Sequence, residues 1–354
     1  MSEYALYILT LYFLTLCSVF IARFVDNKIG NIIAVAIAFI SFGVAAFRPE
    51  YFPDVDTYKL LYEYAASGDL NEPLYWLSHG EPGFKLLSYL ISILGFNYSG
   101  FLIIMAYISF ILLLCISRLS GVYFVYLWFA YFSFHFIIRD FGVIRMGIAS
   151  HLIVIFYLQR SIIWQIVTLM IATLSFQYFA FVAVFAKLLS RFNISWRSLS
   201  LLFLITFFAA RFVSFENLQF LLPEDGVNVI NKNREGVNSA QFSAGGQAII
   251  LPVIRNLFIA FFLYFFLRNE SRFQDFRLII WAAFLSGMVY IMASDILIVA
   301  QRFSAYFAAI VPLAMAYIMQ RRSMRNDAFF LTVLVSLLSF ASVFYFYGPG
   351  FRFF

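Results

Sequence analysis

The sequence predicts an all-α polytopic membrane protein with about 12 transmembrane helices, and three observations carry that expectation. Of 354 residues, 64% are hydrophobic and only 12% are charged, and the mean hydropathy is +0.90, far outside the range of soluble globular chains. Apolar runs long enough to span a bilayer, or somewhat shorter and suited to burial among other helices, follow one another almost end to end. The charge that remains collects in the connections between them. The net charge of +6 excludes nucleic acid as a partner, because the arginines are scattered between hydrophobic segments instead of clustered on one face. The 48 Phe residues favour helices packed by bulky side chains over a wide water-filled channel.

The first run, residues 4–23, has no basic residue before Arg23 and no small-residue cleavage pattern, so it is expected to be a retained first span. Further runs fall at 31–47, 101–117, 122–138, 143–158, 162–174, 177–190, 199–213, 248–267, 277–299, 303–319 and 328–347. Outer loops are expected over about 48–100 and 214–247, all within one polytopic domain, residues 1–354. Cys17 and Cys115 lie inside apolar runs without His or Cys at ligand spacing, so neither a disulfide nor a metal site is expected.

Orientation follows from the Lys and Arg bias of short loops. QRRSMRND carries Arg321, Arg322 and Arg325, and KLLSRFNISWRS carries Lys187, Arg191 and Arg197, which places both in the cytoplasm. The insertion at 48–82 is acidic and belongs outside. One segment has two readings. If EPGFKLLSYLISILGFN spans, the chain from 162 to 189 is one long helix and Arg139 and Arg145 face the cytoplasm. If it lies along the outer interface, 162–189 turns near Ser175 to Gln177 and both arginines face outward. The second reading gives every short basic loop a cytoplasmic address and is the one adopted.

In that orientation Arg48, Arg139, Asp140, Arg145, Arg211, Arg255, Asp295 and Arg302 fall near the outer ends of their helices. A charge at membrane depth costs about 2.5–3.5 kcal/mol on insertion scales, so such groups pair or line a cavity. Several arginines at one leaflet suit an anionic ligand, since a guanidinium binds phosphate oxygens bidentately and stays charged. A lone arginine at a helix end more often snorkels to headgroups, which is the bland account of Arg48 and Arg211. Arg145 and Arg255 sit inside their runs and favour an interior role. Asp56, Glu81 and His135 are candidate bases near those arginines, although a hydrogen-bonded core histidine is the ordinary fate of His135. The polar stretch NVINKNREGVNSAQFSAGGQ suits hydrogen bonding to sugars and a movable lid, and a connector without a role fits its composition equally.

VDTYKLLYEY, EPGFKLLSYLISILG, VIRMGIASHLIVIFYL and LSFQYFAFVAVFAKLL, in that order, resemble the EpsG family of Wzy-type polysaccharide repeat-unit polymerases. The family pattern is an Asp with a following Tyr in the first outer loop, an EPGF, an Ile-Arg-Gln-x-Ile-Ala helix start and a Phe-His-x-Ser-Ala turn. These map onto Asp56, Glu81 to Phe84, Ile144 to Ala149 and Phe176 to Ala180, covering about residues 45–190, with RFSAYF beyond. Met146 stands where the family has Gln, Gln177 where it has His, and Asp54 where Gly is expected.

The resemblance implies a GT-C-like glycosyltransferase, metal-independent and without cofactor, in the bacterial cytoplasmic (inner) membrane with its active site on the periplasmic side. It would polymerise lipid-linked repeat units for O-antigen and lipopolysaccharide biosynthesis, or for a capsule. Its partners would be undecaprenyl-pyrophosphate-linked oligosaccharide and membrane lipid, with a chain-length regulator protein as a further candidate and no nucleic acid. Arg145, Arg139, Arg255 and Arg302 are then expected to cradle pyrophosphate. A base comes from Asp56, Glu81 or His135, and Gln177, Tyr58, Asp295 and Tyr306 contact substrate. An O-antigen ligase or another GT-C transferase would share this arginine logic. A flippase or other transporter would instead place charge along a path through the membrane and show repeat symmetry, and the sequence has no internal repeat.

Overall fold

A computed structural model of the chain describes residues 3–48, 55–67, 81–212, 247–268, 273–292, 297–321 and 326–347. Among these residues the structure is helical and contains no strand, and each of the apolar runs read from the sequence falls on helix. Five helical segments are long and apolar enough to cross a membrane: Glu3–Phe24, Asn27–Ala46, Tyr98–Ser120, Ala300–Gln320 and Asn326–Phe344. Several shorter apolar helices accompany them. Asp54, His79 and Asp295 lie outside the described residues, as does the loop at 214–246.

The chain packs as two compact units, Met1–Phe181 with Pro312–Phe354, and Val182–Val311. In the first unit, α1 (Glu3–Phe24) packs on α2 (Asn27–Ala46), whose N-cap Asp26 accepts from the amides of Lys28 and Ile29. Next come α3 (Val55–Ala66), α4 (Pro82–Ile93) and α5 (Tyr98–Ser120). α3 lies on α4, and two tyrosines pin it there: Tyr62 donates to the Phe96 carbonyl, and Tyr98 donates to the Val55 carbonyl at 3.0 Å. At 1.5 Å per residue, the 12 residues of α4 cover about 18 Å, well short of a bilayer core of about 30 Å.

α6 (Phe124–Tyr131) continues directly into an 11-residue π-helix, Phe132–Gly142, before the chain breaks at Val143 and re-enters helix as α7 (Ile144–Leu158). α8 (Ile162–Ile171) widens in the same manner into a π turn, Ala172–Phe176, and then breaks. At the break Gln177 is extended, with φ −163° and ψ 112°. The interruption falls at the Ser175 to Gln177 position that the interfacial reading of α4 requires. π segments are rare and concentrate at functional sites. Here one ends just before Arg145 and the other just before Gln177.

The second unit holds α9 (Ala183–Leu189), α10 (Trp196–Phe212), α11 (Gln247–Leu267), α12 (Phe273–Met292) and α13 (Leu297–Ala308). α12 is its hub, packing against each of the other four. α14 (Val311–Gln320) and α15 (Asn326–Tyr347) complete the chain, and α15 lies along the π-helix of the first unit.

Candidate functional site

The EPGF stretch folds as it does for three local reasons. Pro82 occupies the first position of α4, where its missing N–H costs nothing. Gly83 lets the helix start press on the backbone at Ser175: a Cβ there would lie 2.5 Å from Ser175 Cα and 2.2 Å from its Oγ. Phe84 points inward, fully buried. Gly83→Ala is therefore expected to push α4 off the Ser175 turn. Loss of activity and a lowered melting temperature in detergent would check this, and a variant with wild-type values for both would refute the packing argument.

Glu81 stands at the N-cap of α4, yet its carboxylate does not cap the helix. An acidic N-cap ordinarily accepts from the first amides. This one reaches instead to Arg145, whose Nη1 donates to Oε2 at 2.6 Å. With its amide turned so that the NH2 faces acceptors, Gln177 donates to Glu81 Oε1 at 2.9 Å and to the Phe176 carbonyl at 3.1 Å. Both carboxylate oxygens are thus engaged. The pair is largely sequestered, the side chains of Arg145 and Glu81 being 13% and 7% exposed.

Aromatic rings fix the guanidinium. Its Cζ lies 5.5 Å from the Tyr58 ring centroid and 5.3 Å from that of Phe84, distances at which a cation is attracted to the ring face. Arg48 approaches the same Tyr58 ring at 5.9 Å. Lys85 completes the group. It follows Glu81 by one helical turn, its amide donating to the Glu81 carbonyl at 3.2 Å, and it is 1% exposed. Burial pushes its ammonium below the ordinary lysine value, while Glu81 opposes the shift and Arg145 adds to it.

Behind this pair a buried polar network holds the Val143 break. Asp140 accepts from Ser109 on α5 at 2.5 Å and from Tyr131 on α6 at 2.5 Å. His151 Nδ1 lies 3.2 Å from Ser109 Oγ. The hydroxyl proton of Ser109 is directed at Asp140, so a bond with His151 requires the Nδ1–H tautomer. Arg48 donates to the carbonyls of Asp140 and Phe141 at 3.2 and 2.7 Å, satisfying acceptors that a helix end leaves open. It is a buried cap, not a snorkelling side chain. Gly147 sits so close that a Cβ there would be 3.2 Å from Asp140 Oδ1.

The structure thus brings together Glu81, Arg145, Gln177 and Tyr58, and adds Phe84 and Lys85, which sequence reasoning missed. The signal for Lys85 was a lysine one turn after a glutamate in an otherwise apolar helix. Arg139 and Asp140 are buried in the last turn of the π-helix. His135 is buried with its ring near those of Tyr131 and Phe134. Asp56 is exposed in the first turn of α3, whereas Tyr58, two residues on, faces inward. Arg255, Arg302 and Tyr306 belong to the second unit. There Arg255 Nε donates to Asn256 Oδ1 at 3.3 Å, and Asn256 donates to Ser304 Oγ at 3.3 Å, tying the turns that carry Arg255 and Arg302. Tyr306 is fully buried.

No curated protein and no solved structure matches the chain. The EpsG family model does, over residues 31–354, and so takes in every residue of the Glu81–Arg145–Gln177 constellation together with the second unit. That span extends beyond the motifs at about residues 45–190, and the family is polysaccharide polymerase-like. With a match over most of its length and the EPGF, Arg145 and Gln177 positions converging in space, this chain belongs to the EpsG family.

Proposed function

We propose that the protein polymerises lipid-linked oligosaccharide repeat units at the outer face of the bacterial cytoplasmic membrane. The growing glycan passes from undecaprenyl pyrophosphate to a hydroxyl of the incoming repeat unit. The observation that carries this reading is the buried Glu81–Arg145–Gln177 constellation, in which Arg145 binds the one carboxylate and Lys85 lies one helical turn from it, leaving excess positive charge for an anion.

In the reaction, the acceptor hydroxyl oxygen bonds to the anomeric carbon of the donor glycan. The bond from that carbon to the pyrophosphate oxygen breaks, and its electron pair leaves with the lipid pyrophosphate. Arg145 neutralises the developing charge through its planar fork of donors. Glu81 takes the hydroxyl proton, being the carboxylate beside Arg145. The 12-residue length of α4 supports a place along the outer interface, and in that placement the pair is at headgroup depth, where a lipid pyrophosphate sits.

Deletion of the gene is expected to remove the long-chain ladder from a gel of surface polysaccharide while a single repeat unit remains. Loss of every repeat would point to a ligase or flippase and sink the reading. Complementation separates the two carboxylates: Asp56→Asn restores the ladder and Glu81→Gln does not.

A further inference from the structure

Glu81 and a phosphate group are chemically alike to Arg145: each offers a pair of anionic oxygens to the guanidinium fork. In the structure the carboxylate already holds one nitrogen of that fork, Nη1, at 2.6 Å. A ligand anion that engages the fork through Nη1 must take that nitrogen from Glu81, and the displaced carboxylate would be left buried and charged without a cation, at high cost. The fold supplies the remedy. Lys85 lies one turn from Glu81 on the same helix face, with the glutamate N-terminal to the lysine, which is the favourable order for such a pair. It is as deeply buried as Phe84, and both Glu81 and Arg145 act on it electrostatically.

We propose that Lys85 is a positioning residue that receives the Glu81 carboxylate when an anionic ligand takes Arg145. Glu81 is thereby an internal competitor for the anion site, and the exchange of its partner moves the carboxylate off the guanidinium that holds the leaving group, so that a remaining lone pair on it can accept the acceptor proton. Binding of the donor pyrophosphate then precedes activation of the hydroxyl, so the base is unmasked only when a donor is in place. The proposal rests on the reading of Arg145 as the pyrophosphate ligand.

Binding of inorganic pyrophosphate to the purified full-length protein in detergent tests it, for wild type, Glu81→Gln, Lys85→Met and the double variant, each checked for a monodisperse fold. Glu81→Gln is expected to bind about tenfold tighter while losing polymerisation, because the competitor is gone and the base with it. Lys85→Met is expected to bind about tenfold weaker, and the double variant to return to wild-type affinity or better, a coupling that independent sites would not show. Weaker binding in Glu81→Gln would overturn the proposal and make the carboxylate an orienting partner of Arg145. A double variant as weak as Lys85→Met would also overturn it, because Lys85 would then contact the anion directly. Arg145→Ala distinguishes the parent reading: if its pyrophosphate affinity equals wild type, the anion site itself lies elsewhere. Should Glu81→Gln not fold, the wild type still decides the matter, since pyrophosphate must shift the infrared carboxylate bands of glutamate-labelled protein, and unchanged bands would refute partner exchange.

Discussion

Replacing Arg145 with alanine is expected to abolish the long-chain ladder, with chain growth at least about 100-fold slower than wild type. The guanidinium lies over the rings of Tyr58 and Phe84, so it is already held in place when charge develops on the leaving pyrophosphate. Electrostatic stabilisation is worth most when its donors need no reorganisation. Arg145→Lys keeps the charge but lacks the planar fork and the ring contacts, and is expected to recover only part of the activity. The alanine variant also leaves Glu81 buried without its cation, a loss of about 3 kcal/mol for a largely buried pair. The two effects separate in Arg145→Ala with Glu81→Gln. That double variant should regain most of the melting temperature in detergent and none of the activity. Activity recovered together with stability would mean that Arg145 serves the fold alone.

The helical class was legible because a bilayer forces backbone groups to pair within each segment, so hydropathy alone locates the helices. Arg145 and Glu81 were legible for a related reason: charge beside apolar runs has to have a partner. What the sequence did not disclose was that they are each other's partner. That pairing depends on Gly83 pressing against Ser175 and on two π segments that end next to Arg145 and Gln177, and FSFHFIIRDFG and ATLSF carry no periodic signal of a wider helix. Asp56 looked as eligible as Glu81 because both border the same helices. Only the face of α3 separates them, Tyr58 turning inward and Asp56 outward. Gln177 stands where the resemblance leads one to expect histidine, and its amide donates to Glu81 as a neutral imidazole N–H could.

Asp140→Ala is expected to be the most destabilising single change in the first unit, by about 3–5 kcal/mol. Its carboxylate is buried and accepts from Ser109 and Tyr131, so it ties α5 and α6 to the break before α7. Truncation takes the acceptor from the buried hydroxyls of Ser109 and Tyr131 and removes the negative charge that lies among Arg139 and Arg48. Asp140→Asn keeps an acceptor for one hydroxyl and should lose about half as much. The measurement is unfolding in detergent for Asp140→Ala, Asp140→Asn and Ser109→Ala, the last removing only one partner and costing about 1–2 kcal/mol. An Asp140→Ala protein that unfolds within about 0.5 kcal/mol of wild type would show that the break is held by other contacts. Because Arg145 is the second residue of α7, beyond that break, its position against Glu81 follows the network's integrity. Loosening the network should therefore weaken pyrophosphate binding in the same order, alanine more than asparagine, although Asp140 need never touch the anion.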